Sequence, residues 1–200
     1  MTETPRLAPD YPILTERLLL RPIDAERDLV AMHSYRSIPD VCRYVPFVPG
    51  TPEELAGRLS DPERVRSTID AEGQVMSLVV ELRATGEVVG DLVLFWHSDS
   101  DLHAEVGYVL HPDHEGHGYA SEGVGALLGL CFDHAGAHRV TARVDERNTA
   151  STRLLERLGF RKEARFVEGE WFKDEWTTLE VFAMLDREWA AARTAQSSRT

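Results

Sequence analysis

The sequence predicts a mixed α/β domain: a mostly antiparallel central sheet, then a β-α-β-α-β crossover half, with helices flanking the sheet. Two observations carry this. Between residues 74 and 111 three runs rich in Val, Leu and aromatics follow one another with only short polar breaks, which is how an antiparallel meander reads. After residue 117, long apolar helical stretches alternate with short strand-like runs, the rhythm of crossover connections.

The elements follow in order. "ERLLLRPI" (16–23) is a short strand that Pro22 helps to close. "DAERDLVAMHSYRS" (24–37) is a helix with Asp24 as N-cap and apolar residues at Leu29, Met32 and Tyr35. "TPEELAGRL" (51–59) repeats the start signal, with Thr51 as cap, Pro52 in the first turn and Glu54 completing a capping box. The polar stretch up to Gly73 is expected to be partly helical. Strands at 74–84 and 87–98 are joined at "TGE", a hairpin signal, and a third at 103–111 ends at Pro112. A helix over 118–134, a strand at 138–145 and a helix at 149–160 stopped by Gly159 come next. Strands near 161–168 and 174–185 and a last helix at "DREWAAAR" complete the set.

Two hundred residues suit one domain, expected over 15–190, with an N-terminal extension at 1–14 and a disordered polar tail at 191–200. No stretch reaches the roughly 18 to 20 apolar residues of a membrane span, and the first residues lack the pattern of a secretory signal. Cys42 and Cys131 are too few for a disulfide framework or a zinc site, so each is expected to be a small core residue in a cytoplasmic protein. The formal net charge of −12 argues against nucleic acid, whose phosphates it would repel, and suits a neutral or cationic partner.

Residues 111–123, "HPDHEGHGYASEG", place two glycines one residue apart where a long helix begins. The first turn of a helix carries unpaired N–H groups and the positive end of its dipole. Glycines before it let successive N–H groups converge on an anion with no Cβ in the way. No Gly-Lys-Ser/Thr follows, and G-x-x-G spacing is missing, so the stretch is neither a Walker loop nor a dinucleotide fingerprint. Upstream, Gly107 inside a strand marks a bulge or a close backbone approach. Downstream, "NTASTRLLERLGF" puts Asn148 and Ser151 at the start of one helix.

Taken together, "TERLLLRPI", "AEVGYVLHPDHEGHGYASEGVGALL", "VDERNTASTRLLERLGFRKEA" and "FAMLDREW" resemble the GNAT superfamily of N-acetyltransferases over residues 15 to 189. The branch they look most like holds the ribosomal-protein N-terminal (Rim-type) acetyltransferases. The resemblance implies the GNAT fold with a splayed strand pair, acetyl-CoA as co-substrate without a metal, and direct attack by a primary amine. By position, the pyrophosphate loop is Glu115, Gly116, His117, Gly118, Tyr119 and Ala120, followed by Ser121. Glu115 stands where the family has Gln or Arg, which leaves the backbone cradle but removes a side-chain contact with phosphate. His114, His117, Arg153 and Arg157 are positioned to offset negative charge, with Arg153 assigned to the cofactor.

The pantetheine arm would pair with the backbone of Tyr108, Val109 and Leu110, with an oxyanion contact from an N–H near Val109. At roughly 3.3 Å per residue, Glu105 lies roughly 17 Å before Leu110, a reach comparable to that arm. An attacking amine must lose a proton, and an α-amine is about one-tenth neutral at pH 7 whereas lysine is neutral about once in 2,500. Glu105 is the best-placed carboxylate for a general base, acting directly or through water, as the resemblance implies for the related strand glutamate of this branch. The family's tyrosine acid falls at Leu155, so Ser151 is the expected substitute, with Asn148 on the arm. Tyr44, Trp171 and Asp174 are the acceptor-binding candidates, acids and aromatics that suit an ammonium. A homodimer through the C-terminal strands is a family expectation. A protein α-amine, a polyamine or aminoglycoside, and an amino-acid-like metabolite stay open as acceptors. A silent acyl-CoA-binding domain and another donor such as succinyl-CoA stay open as alternatives.

Overall fold

The computed structural model describes residues 6–197. Its strands are β1 (Ile13–Leu14), β2 (Leu18–Pro22), β3 (Val75–Leu82), β4 (Val88–Ser98), β5 (His103–Leu110), β6 (Arg139–Asp145), β7 (Arg161–Phe172) and β8 (Glu175–Leu185). They form one sheet in the order β1-β2-β3-β4-β5-β6-β8-β7. Every neighbouring pair is antiparallel except β5 and β6. The mixed α/β fold expected from the sequence is therefore the one observed, with the single parallel pair at the crossover.

Local chemistry explains the helices. In α1 (Ala25–Arg36) the Asp24 carboxylate accepts from the N–H groups of Glu26 and Arg27. In α3 (Pro52–Leu59) Thr51 and Glu54 form the reciprocal capping box. α4 (Tyr119–Gly129) continues into a π-helical turn at Leu130–His134, and α5 (Thr149–Leu158) ends at Gly159 with φ +94°. Alternation along β4 divides the molecule. Leu92, Leu94 and Trp96 are buried in a large core beneath α4 and α5, where Leu127, Leu128 and Leu155 are also fully buried. Burying each such side chain contributes about 1.5–3 kcal/mol. On the other face, Val79 packs with Met32 and Tyr35 of α1 and Leu55 and Leu59 of α3 in a smaller core. Val93 and Phe95 on that face stay only partly buried because a cavity lies over them.

Several expectations need correction. The polar stretch before Gly73 forms turns and an isolated bridge between Leu7 and Ile69, with no helix; Pro62 and the run of charged residues leave no apolar face for one to bury. A short helix α2 (Pro39–Cys42), absent from the sequence reading, lies between α1 and α3. From Arg6 onward the expected extension is folded onto the domain: Leu7 is buried and β1 pairs with β2. The final helix α6 (Asp186–Ser197) runs into the expected tail, because "TAQS" continues an alanine-rich segment that favours helix; residues 198–200 lie outside the described residues. Gly107 holds no bulge. The β4–β5 register is continuous past it, and a Cβ there would stand 2.8 Å from a methyl of Val93, so the glycine makes room for that side chain.

Candidate active site

The parallel pair is short. β5 and β6 are in register only from His103 to Glu105 against Arg139 to Thr141, and from there the two strands diverge. The Leu102 carbonyl accepts from His138 and Arg139 on the β6 side, and the His111 N–H donates to Val89 on the β4 side. Strand alternation then turns the backbone groups of Val106, Tyr108 and Leu110 toward the opening, and those of Gly107 and Val109 toward β4. Of the N–H groups near Val109, those of Tyr108 and Leu110 therefore face the opening and that of Val109 does not.

At the end of the opening sits the glycine loop. After a 3₁₀ turn at Pro112–His114, Gly116 takes φ +76° and Gly118 takes φ +81°. An L-residue pays about 1–2 kcal/mol for that left-handed conformation, which is why glycine stands at both positions. Gly118 is the N-cap of α4 and offers no side chain, so the first N–H groups of that helix are uncapped at the wall of a cavity of about 450 Å³. Arg17 braces the loop from behind. Its guanidinium donates to the His117 carbonyl at 2.8 Å and to Glu122 at 2.6 Å, and lies over the Tyr119 ring at 4.8 Å. Glu122 also accepts from Thr15 at 2.5 Å and from the Arg17 N–H at 2.7 Å. Burial alone would raise its pKa; the hydrogen bonds from Thr15 and Arg17 outweigh that and hold it below the ordinary carboxylate value.

The opposite wall is the start of α5. Asn148 accepts from the Ser151 N–H at 3.1 Å, and Ser151 lines the cavity. Arg157 reaches Ser121 at 3.5 Å and lines the same wall, whereas Arg153, also exposed, is not among the lining residues. Leu155 is fully buried. The Tyr108 hydroxyl donates to the Ser151 carbonyl at 3.5 Å, and burial raises its pKa.

A second cavity, of about 740 Å³, opens on the face under α1 and α3. Tyr44, Val45, Tyr108 and Val109 line both cavities, so the two meet at the far end of the strand opening. Glu105 lines the larger one and is held by His97 Nε2 at 3.1 Å. The His97 ring stacks on Phe95 and stands 5.0 Å from that of His103, whose pKa is lowered by burial and then by His97 and Arg139. The β7–β8 hairpin closes one side. Lys173, at its tip, donates to the Phe47 carbonyl at 2.7 Å and to the Cys42 carbonyl, which ties the hairpin to the segment after α2. Glu170 and Phe172 face the cavity; Trp171, between them, turns outward and meets Trp176 edge-to-face at 5.3 Å. Asp174 sits in the turn with φ +64°, away from the lining. Of the three acceptor candidates only Tyr44 is at the cavity.

A sequence model described as the GNAT acetyltransferase domain matches residues 17–161. The N-acetyltransferase p20 of Bacillus licheniformis, itself uncharacterized, is 32% identical over 178 residues, 89% of this chain and 98% of that protein. The chain is a GNAT acetyltransferase. A GNAT-family acetyltransferase from Bacillus anthracis superposes with TM-score 0.76 at 29% identity, over 88% of this chain and 98% of that one. A GCN5-related N-acetyltransferase from Brucella melitensis, at 23% identity, shares the fold with TM-score 0.81 over 98% and 88% of the two chains. As a GNAT protein it is an acyl-CoA-dependent N-acyltransferase, and the family generally uses acetyl-CoA. Among the described residues no helix is long and apolar enough to cross a membrane.

The GNAT motifs led to the loop and to Glu105 but not to Arg17, His97 or Lys173, which act at sequence separations of 100, 8 and 126 residues. For His97 the local sequence carried no signal: it is the unpaired residue of a bulge between Trp96 and Ser98, while Glu105 pairs with Phe95.

Proposed function

We propose that this GNAT protein moves an acetyl group from acetyl-CoA to a primary amine carried on a largely apolar body. The observation that supports this best is the meeting of the two cavities at Tyr108 and Val109. One side offers a backbone cradle and an uncapped helix start suited to a diphosphate; the other offers a carboxylate and apolar walls. In this reading the N–H groups from Gly116 to Ala120 hold the diphosphate, with Ser121 and Arg157 at its edge. The pantetheine arm pairs in the strand opening with Tyr108 and Leu110. Glu105, oriented by His97, takes the proton of the attacking amine, and Ser151 offers a hydroxyl to the departing sulfur.

The acceptor side favours an apolar amine over a polycation. Val93, Phe95, Phe47 and Leu179 line it, and four arginines (Arg36, Arg58, Arg64 and Arg143) stand among its carboxylates. Asp91 is already taken by Arg36 at 2.5 Å and by the Tyr35 hydroxyl at 2.7 Å. A polyamine would carry several charges past these cations, whereas a peptide α-amine or an aryl-alkyl amine carries one. A second copy of the chain has its best-placed surface on the outer face of the hairpin, where Trp171 and Trp176 are 57% and 58% exposed.

Calorimetric titration with acetyl-CoA, CoA and dephospho-CoA, followed by thiol release with 2-phenylethylamine and with spermidine, tests the proposal. Micromolar acetyl-CoA binding with faster turnover of the apolar amine is expected. Binding without turnover of any amine would sink the transferase reading, and preference for spermidine would overturn the acceptor class.

A further inference from the structure

A thioester leaves as a thiolate, and the family's usual donor for it is missing. The position that would hold a tyrosine on α5 is Leu155, which is fully buried in the core. Ser151 supplies a hydroxyl nearby, but an aliphatic alcohol is a far weaker acid than a thiol and gives up a proton poorly. A phenol, ionising near 10, is much closer to a thiol's own range of about 8.5.

We propose that Tyr108, reaching across from β5 to the start of α5, is the general acid that protonates the departing thiolate. The inference rests on the acetyl-transfer reading above. Three features support it. Tyr108 lies at the junction of the two cavities, where a cradled cofactor and a bound amine would meet. Its hydroxyl donates to the Ser151 carbonyl at 3.5 Å, a long and weak hydrogen bond beside the Ser151 side chain that leaves the proton available to a better acceptor. It lies against the first turn of α5, where burial pushes the phenol's pKa up while Ser151, Arg157 and the positive dipole end of the helix work against that push and favour the phenolate.

The step balances. The amine nitrogen bonds to the carbonyl carbon, Glu105 removes the nitrogen's proton, and the C–S bond breaks with its electron pair going to sulfur. Tyr108 Oη gives its proton to that sulfur. The proton held by Glu105 then returns through solvent to the phenolate, and the products are an amide and the free thiol. Charged groups lining the two cavities that Tyr108 shares include Arg157 from α5, Glu115 from the glycine loop and Asp40 from α2 on one side, and Asp91, Glu105, Arg143 and Asp145 on the other.

The test uses Tyr108→Phe and Ser151→Ala, with acetyl-CoA and 2-phenylethylamine and release of thiol as the readout. For Tyr108→Phe, kcat should fall by about 10² to 10³-fold, within the usual range for general acid catalysis, while acetyl-CoA affinity by calorimetry changes less than about threefold. Ser151→Ala should lose about tenfold or less. Replacing Tyr108 by a fluorinated tyrosine, a more acidic phenol, should move the alkaline fall of kcat to lower pH, which a merely structural tyrosine would not do. A Tyr108→Phe protein that keeps more than about a tenth of its kcat, or an alkaline limb unmoved by fluorination, overturns the proposal and leaves the transferase standing. Wild-type protein that binds acetyl-CoA and releases no thiol with any amine removes both.

Discussion

The two halves of the site are made of different material. In the proposed reading the cofactor side works through the backbone: the amides of residues 116–120, the uncapped start of α4, and the strand groups of Tyr108 and Leu110 that lost their partner where β5 and β6 part. On the acceptor side they are side chains, drawn from the segment after α2, from α3, from four strands and from the β7–β8 hairpin. A backbone cradle depends on φ angles and on a helix start, so few substitutions can alter its specificity. A cavity of side chains can be refitted to a new amine one residue at a time. The difference teaches that the donor is fixed by the fold and the acceptor by its decoration.

Glu105 lines the acceptor half alone, and removing its charge is the sharpest way to separate the two. Glu105→Gln should lower kcat by about 10² to 10⁴-fold, the usual worth of a general base, and leave acetyl-CoA affinity unchanged. Steady-state rates beside calorimetric titration check this; full activity from pH 6 to 9 would remove Glu105 from the role. Gly118→Val should do the reverse. A branched side chain at φ +81° is strained by at least about 1–2 kcal/mol, and this backbone strain, rather than its ordinary 3.4 Å contact with the Arg17 guanidinium, is what disturbs the loop. Acetyl-CoA binding should weaken about tenfold or more; an unchanged Kd would break the idea that the glycines serve the cradle. Lys173→Met is the milder counterpart on the acceptor side. It cuts the hairpin loose from the Phe47 and Cys42 carbonyls, and KM for the amine should rise several-fold while KM for acetyl-CoA stays put. Equal changes in both would mean that the hairpin does not belong to one half alone.

That asymmetry also explains how much could be read from the chain. The glycine loop was legible because backbone geometry leaves its mark locally: two glycines, a helix start, a strand before them. Glu105 was singled out by strand position and acidity, and it does line the acceptor cavity. The acceptor wall was not. Trp171 and Asp174 have the right chemistry, yet the period of two along β7 turns Trp171 outward and leaves Glu170 and Phe172 facing in. A bulge between Phe166 and Glu170 resets that alternation, and nothing in the local sequence states which face results. Arg153 and Arg157 differ by one helical turn, and only the docking of α5 decides that Arg157 meets the loop. The helix expected before Gly73 failed for a related reason: its polarity was read without an apolar stripe to bury.

The smallest effect concerns the brace behind the cradle, where charge assists backbone. Glu122 accepts from Thr15 and twice from Arg17, and those bonds hold its pKa below the ordinary 4.5 despite the opposing push of burial. A carboxylate with a depressed folded value stabilises the native state above its unfolded pKa and loses that contribution as pH falls through the folded one. Glu122→Gln should therefore cost about 1 kcal/mol at pH 7, since Arg17 is partly exposed and solvent screens the pair. For a chain of this length that corresponds to about 2–4 °C in Tm. The gap between wild type and variant should narrow as pH is taken below 4.5 and close once the wild-type carboxylate is protonated. Thermal unfolding of both proteins at pH 7 and at stepwise lower pH measures it. A gap that stays constant with pH would mean that Glu122 works by shape and not by charge, and the cradle would then be a backbone device on both of its sides.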